Sequence, residues 1–178
     1  MFAFIQKKYE FTDYQIAQLK YTFTIIFSEL SKFLIMAVLF HNRIVLYVYA
    51  AVLLSVLRLS TGGLHAKTYW GCLLMSLLFF CAAVYLLPQI RISKLWMCIL
   101  VLGCMAAIYL VGPVASVYRT PPDEHRKKRL VFQSLTAIFI QLVLFGVFDS
   151  KLFVVGNWVI VLQTAQLIIS KIYKEVKS

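Results

Sequence analysis

Apolar residues along this chain fall into long blocks separated by short polar clusters. Six blocks stand out, at residues 21–40, 44–57, 71–87, 95–111, 130–147 and 152–170. Their lengths approach the ~20 residues that a helix needs to cross ~30 Å of hydrocarbon. Lipid offers no partner to backbone N–H and C=O groups, so such spans are read as helices. The clusters between them predict turns: His41-Asn42-Arg43, the polar stretch 58–67, the loop 89–94, a charged loop 119–129, and Asp149-Ser150-Lys151. Pro88 closes the third block and Gly112-Pro113 the fourth, as helix-ending residues do. Ahead of the first block, Phe2, Phe4, Ile5, Tyr9, Ile16 and Leu19 interleave with charges, which predicts an amphipathic helix lying on the membrane surface. The expected fold is therefore all-α and polytopic, one membrane domain over residues 1–178. It has a surface helix at 1–20, a bundle of about six transmembrane helices at 21–170, and a basic tail at 171–178. A broken or re-entrant segment is expected around Gly62-Gly63, since glycine tolerates backbone states that other residues avoid.

Composition agrees with this picture. Hydrophobic residues make up 62% of the chain and charged residues only 14%, against about 45–50% apolar in a soluble domain. The net charge of +11 raises the question of nucleic acid. No basic stretch stands free of a span, so the charge is read as membrane topology and no nucleic-acid partner is expected. With the amino terminus in the cytoplasm and six crossings, thirteen Lys and Arg residues lie inside. Four lie outside, namely Arg43, Arg91, Lys94 and Lys151, and Lys32 falls within a span. That bias predicts cytoplasmic termini and puts segments 58–67 and 119–129 on the same face. No long apolar core precedes Lys20, so no cleavable signal peptide is expected.

Chemistry concentrates in one stretch, Arg58-Leu-Ser-Thr-Gly62-Gly63-Leu-His65-Ala-Lys-Thr-Tyr-Trp-Gly71-Cys72. It holds a His and a Cys, the minimum parts of a thiol nucleophile with a general base. The other cysteines are Cys81, Cys98 and Cys104; no pair has the CxxC spacing, which argues against a metal site or disulfide framework, and no cofactor is expected. On a straight helix, positions seven apart share a face but stand ~10.5 Å apart along the axis. A His65–Cys72 dyad therefore requires a break between them. Non-helical backbone at membrane depth must be buried in protein or face a watery cavity, which suits an active site. Against this, a Cys heading an apolar span is commonly a small apolar residue, and a lone loop His is commonly solvated. His41 and His125 are weaker candidates for the base: one sits on the opposite face and the other in a charge run. Glu29 and Lys32 lie three apart inside the first block, on one helical face; they are read first as an ion pair packing that span, and second with Glu29 as a third group that orients His65.

The stretch from Arg58 to Cys72 resembles the accessory gene regulator B family, Gram-positive membrane cysteine endopeptidases of peptide quorum sensing. The family pattern of an Arg, a Gly shortly before a His, and a Cys seven residues after it falls on Arg58, Gly63, His65 and Cys72. Gly112-Pro113-Val-Ala and the run Pro121-Pro122-Asp-Glu-His-Arg126-Lys127-Lys128-Arg129 resemble the family's second cytoplasmic segment, although Pro-Pro-Asp-Glu is a more acidic start. The resemblance implies Cys72 as nucleophile and His65 as its base, and a short propeptide of the accessory gene regulator D type as substrate. It also implies thiolactone ring formation and a homodimer. Arg58 has two readings, a ligand for carboxylates or the oxyanion and an ordinary positive flank of a span. The basic run Arg126, Lys127, Lys128 and Arg129 likewise serves the substrate's acidic tail or topology. Two other classes compete. A small transporter or channel would use Glu29, Lys32 and the glycine break as pathway elements. A membrane assembly factor would carry no chemistry at all.

Overall fold

The computed structural model describes residues 13–63, 68–113 and 123–177. The elements are α1 (Asp13–Leu39), a 3-10 turn (His41–Arg43), α2 (Ile44–Thr61), α3 (Tyr69–Cys81), α4 (Lys94–Val111), α5 (Glu124–Val147) and α6 (Lys151–Lys177). A π turn (Ala82–Leu86) and a 3-10 turn (Leu87–Gln89) extend α3. Among the described residues, five segments are long and apolar enough to cross a membrane: His41–Thr61, Tyr69–Gln89, Lys94–Val111, Glu124–Val147 and Lys151–Tyr173. The all-α, polytopic expectation holds, with five such segments where about six were expected. The expected first span, 21–40, lies on α1 as far as Leu39; this helix carries Glu29 and Lys32 near its middle and is not among the five.

The chain divides into two compact units, Met1–His41 and Asn42–Ser178. In the first, α1 runs unbroken from Asp13, so the expected boundary at residue 20 between a surface helix and a span is not a helix end. Residues 1–12 of that surface helix lie outside the described residues. Lys32 Nζ donates to the Glu29 carboxylate one turn earlier, the pairing that their spacing predicts.

The second unit is a bundle of α2, α4, α5 and α6, with α6 packed on the other three. Buried positions recur at helical spacing: Met97, Val101, Cys104 and Ile108 on α4, and Ser134, Ile138, Gln141 and Phe145 on α5. Leu57, Ile108 and Leu167 share one cluster toward one end. Met97, Phe145 and Trp158 form another toward the opposite end, where Lys94 Nζ also lies 3.4 Å from an Asp149 carboxylate oxygen. Large apolar side chains such as Val52, Leu59, Leu102, Phe132 and Val143 are exposed. In lipid that face needs no protein cover. α3 buries Phe79 and Phe80 near its carboxyl end, and Phe80 meets Tyr47 of α2 edge-on at 5.0 Å. Arg43 braces the π turn that follows: Nη1 donates to the Val84 carbonyl at 3.0 Å, and the guanidinium lies 4.6 Å from the Tyr85 ring centre. Such a turn displaces carbonyls from their regular partners, and Arg43 takes one of them.

Two expected loop regions are helical. α5 begins at Glu124, so Arg126, Lys127, Lys128 and Arg129 occupy its first turns instead of a loop. Pro121-Pro122-Asp123 ahead of Glu124 is a helix-start signal. α6 continues to Lys177 through most of the expected tail, because no glycine or proline follows Gly156.

Candidate functional site

α2 stops at Thr61 because Gly62 turns to φ 78° and ψ −153°, a conformation that costs any residue bearing a Cβ. The Gly62 N–H still returns to the Arg58 carbonyl at 3.0 Å. The helical path is thus broken where the glycine pair predicts it. α3 restarts at Thr68, whose Oγ1 accepts from the Gly71 N–H at 3.1 Å, a side-chain cap for an otherwise orphaned donor. Gly71 therefore belongs to the first helical turn. Cys72 follows in that turn; its N–H donates to the Thr68 carbonyl at 3.0 Å, and the residue is half-buried. All four cysteines are thiols, and Cys104 is the buried one.

α6 supplies the partners of the break. Gln163 Nε2 donates to the Gly62 carbonyl at 2.8 Å and to Thr61 Oγ1 at 3.1 Å. Thr61 Oγ1 in turn donates to the Leu57 carbonyl at 2.8 Å. One turn along α6, Gln166 Oε1 accepts from Arg58 Nη2 at 3.0 Å. A Cβ placed on Gly63 would lie 3.6 Å from Gln163 Nε2 and 3.9 Å from Arg58 Nε. Arg58 and Gly63, both singled out in the sequence, are therefore neighbours. Gln163 is fully buried, and among the described residues its Oε1 has no hydrogen-bond partner.

A second glycine turn sits at the end of α4. Gly112 has φ 69° and its N–H donates to the Ile108 carbonyl at 2.9 Å. A Cβ there would come 3.2 Å from Lys127 Cε, so the stem of Lys127 lies over the glycine. The cluster of Leu57, Ile108 and Leu167 brings the ends of α2, α4 and this part of α6 together. The Arg58–Gly63 break and the start of α5 thus share one end of the bundle. Arg126, Lys127, Lys128 and Arg129 are all exposed there. Four cations on the first turns of a helix run against its dipole, which leaves them to solvent or to an anionic partner.

Residues 64–67, with His65 among them, and residues 114–122 lie outside the described residues. The structure brings together Arg58 with Gly63 and Lys127 with Gly112, and it sets Cys72 on the first turn of α3. Thr68, Gln163 and Gln166 are members of this neighbourhood that sequence reasoning passed over. Their signal was present: Gln163, Thr164 and Gln166 interrupt an apolar block, and polar groups at membrane depth are costly unless they bind something. Thr68 three residues before Gly71 has the form of a cap.

The accessory gene regulator B family matches residues 1–168. An AgrB-like protein of Clostridium beijerinckii is 30% identical over 126 residues, 68% of this chain and 62% of that protein, so the match spans under two thirds of the relative's length. No solved structure matches. With the family pattern running over almost the whole sequence, the chain belongs to the accessory gene regulator B family.

Proposed function

We propose that this protein is a membrane-embedded cysteine endopeptidase that removes the C-terminal tail of a short autoinducer propeptide and promotes closure of a thiolactone ring. The observation that carries the reading is the helix break at Gly62, with Arg58 and Gly63 gathered beside it and Cys72 on the first turn of the next helix. In this reading, His65 takes the proton of Cys72, and Sγ attacks the carbonyl before the acidic tail. The C–N bond breaks, the leaving amine receives the proton from His65, and the rest of the substrate stays on Cys72 as a thioester. A thiol of the substrate then attacks that thioester, closes the ring, and returns Cys72 as a thiol. In the same reading Arg58 and the Gly63 N–H are the groups that would meet the developing oxyanion, and the exposed run on α5 attracts the acidic tail.

Energetics constrain the sequence of steps. A peptide bond is more stable than a thioester, so the first step is uphill and the adduct stays scarce. Thioester exchange is close to balanced, and departure of the tail draws the reaction forward. Holding the substrate thiol beside the adduct makes ring closure effectively unimolecular, which contributes several kcal/mol against hydrolysis. The orientation follows from charge. Among the described residues of the Asn42–Ser178 unit, eight Lys and Arg residues lie toward the Arg58 end and four toward the Lys94 end, which in this reading turns the site to the cytoplasm. A second copy of the chain is expected as partner, to be checked by crosslinking in native membranes.

The test is intact mass spectrometry of the purified protein after incubation with propeptide. A substrate whose own Cys is replaced by Ala should be cut slowly, leaving an acyl adduct on Cys72 or a linear acid. Cys72→Ser should be inactive, because a hydroxyl is a far weaker nucleophile without strong activation. Ring formation by Cys72→Ser, or an adduct mapped to another residue, overturns the mechanism.

A further inference from the structure

We propose that Gln163 is a positioning residue of this site: it aims the Gly63 N–H by gripping the carbonyl of the same peptide unit. The inference rests on the peptidase reading above.

The argument begins with the backbone. Two consecutive glycines form the most rotatable stretch of the break, and a donor carried on such a stretch has no fixed direction of its own. The peptide between Gly62 and Gly63 is trans, as are all the described peptides. In a planar trans peptide the C=O and N–H point in opposite directions, so fixing one fixes the other. Gln163 fixes the first. Its Nε2 meets the Gly62 carbonyl at 2.8 Å and Thr61 Oγ1 at 3.1 Å, using both amide hydrogens. Thr61 is itself tied to the Leu57 carbonyl at 2.8 Å, and Leu57 is fully buried. The grip therefore traces back to the core of the bundle. Arg58 stands on the same spot, with Nε 3.9 Å from the place where a Gly63 Cβ would be, and is itself held by Gln166 at 3.0 Å. One face of α6 thus sets both groups that the proposed chemistry aims at the oxyanion.

Burial supports a directed role. Gln163 is fully buried in a span and leaves its own Oε1 without a hydrogen-bond partner among the described residues. An amide buried at that cost is better explained by what its donors hold than by packing, which Leu or Met would do without the loss. A donor aimed at charge that exists only in the transition state raises kcat and leaves ground-state binding alone.

The experiment uses the full chain in proteoliposomes with a synthetic propeptide bearing an amphipathic helix, an internal Cys and an acidic tail. Gln163→Leu and Gln163→Met preserve bulk without the donors, and Gln163→Glu keeps the shape. Each should lower kcat at least tenfold, leave KM within twofold, and leave the rate of Cys72 alkylation by a small reagent unchanged. Unchanged kcat overturns the proposal. So does a fall in kcat that comes with altered KM and altered alkylation, or the failure of all three variants to fold, since either marks Gln163 as merely structural. Cys72→Ser runs alongside: processing that survives it sinks the peptidase reading itself, whereas Cys72-dependent processing that ignores Gln163 sinks only this inference.

Discussion

The Gln141 carboxamide is seated on Gly156, where a Cβ would come 2.7 Å from Gln141 Cδ and closer still to Nε2. From that seat Nε2 donates to the Phe153 carbonyl at 2.9 Å and to Asn157 Oδ1 at 3.3 Å, and Oε1 accepts from the Tyr49 hydroxyl. One side chain therefore ties α2, α5 and α6 in the middle of the bundle. Gly156→Ala displaces the amide from all three bonds and should destabilise the protein by about 1–3 kcal/mol. Thermal unfolding in detergent measures it. In a Gln141→Ala background Gly156→Ala should cost little more, because the two residues touch and the bonds it would displace are already gone; purely additive losses would show that the seat is not the cause.

Much of this architecture was legible in the sequence because lipid enforces it. Long apolar blocks in a bilayer have few alternatives to helix, and the break at Gly62-Gly63 and the end at Gly112 followed from residues that tolerate positive φ. Helix ends among charges were harder. Arg126, Lys127, Lys128 and Arg129 read as a loop by polarity, yet proline and acidic start signals outweighed it and set them on α5. The first block misled in another way: Glu29 and Lys32 pair as expected, but α1 has no boundary near residue 20. At the site, Cys72 drew notice as the thiol following His65, and Arg58 and Gly63 through the resemblance of the 58–72 stretch to the family pattern. Gln163 and Gln166 did not, because they reach the break only through the packing of α6 on α2, a contact about a hundred residues away in sequence.

Cysteine reactivity should separate a working thiol from packing ones. Cys72 lies in the first turn of α3 at a bundle end and is half-buried, while Cys104 faces the core beside Ile108. A membrane-impermeant maleimide applied from the cytoplasmic side should modify Cys72 at least tenfold faster than Cys81, Cys98 or Cys104, since rate follows access and thiolate fraction. Peptide mapping after brief labelling reads the order. Equal labelling of all four would mark Cys72 as a packing residue.

The basic start of α5 should act at a distance. Its four cations are exposed and point at no acidic partner among the described salt bridges. Replacing Arg126, Lys127, Lys128 and Arg129 by Gln should raise KM severalfold and change kcat little. The wild-type KM should rise with salt, because screening acts over ~8 Å at physiological ionic strength, and the variant should lose most of that salt dependence. Initial rates in proteoliposomes at two ionic strengths provide the check, after protease accessibility confirms an unflipped topology. A variant with unchanged KM in the correct orientation rules the attraction out.

Arg58 offers the cleanest division between chemistry and topology. As a topological flank it needs only its charge, and Lys supplies that equally well. As a site residue it needs the planar fork: Nη2 is engaged by Gln166 at 3.0 Å and Nε lies 3.9 Å from where a Gly63 Cβ would be, so one guanidinium is held by Gln166 and set beside the glycine at once. A lysine ammonium is a point charge on a flexible stem and cannot hold both relationships. Arg58→Lys should therefore insert normally and retain the labelling pattern of Cys72, yet lose tenfold or more in kcat. Gln166→Leu, which frees the fork without removing it, should fall between wild type and Arg58→Lys. Removal of a single oxyanion donor typically costs about 100–1,000-fold in kcat, so a loss of that size in Arg58→Gln would agree with direct contact to the reacting carbonyl. Full activity in Arg58→Lys would leave the residue as a flank of its span and move oxyanion stabilisation onto the Gly63 N–H alone.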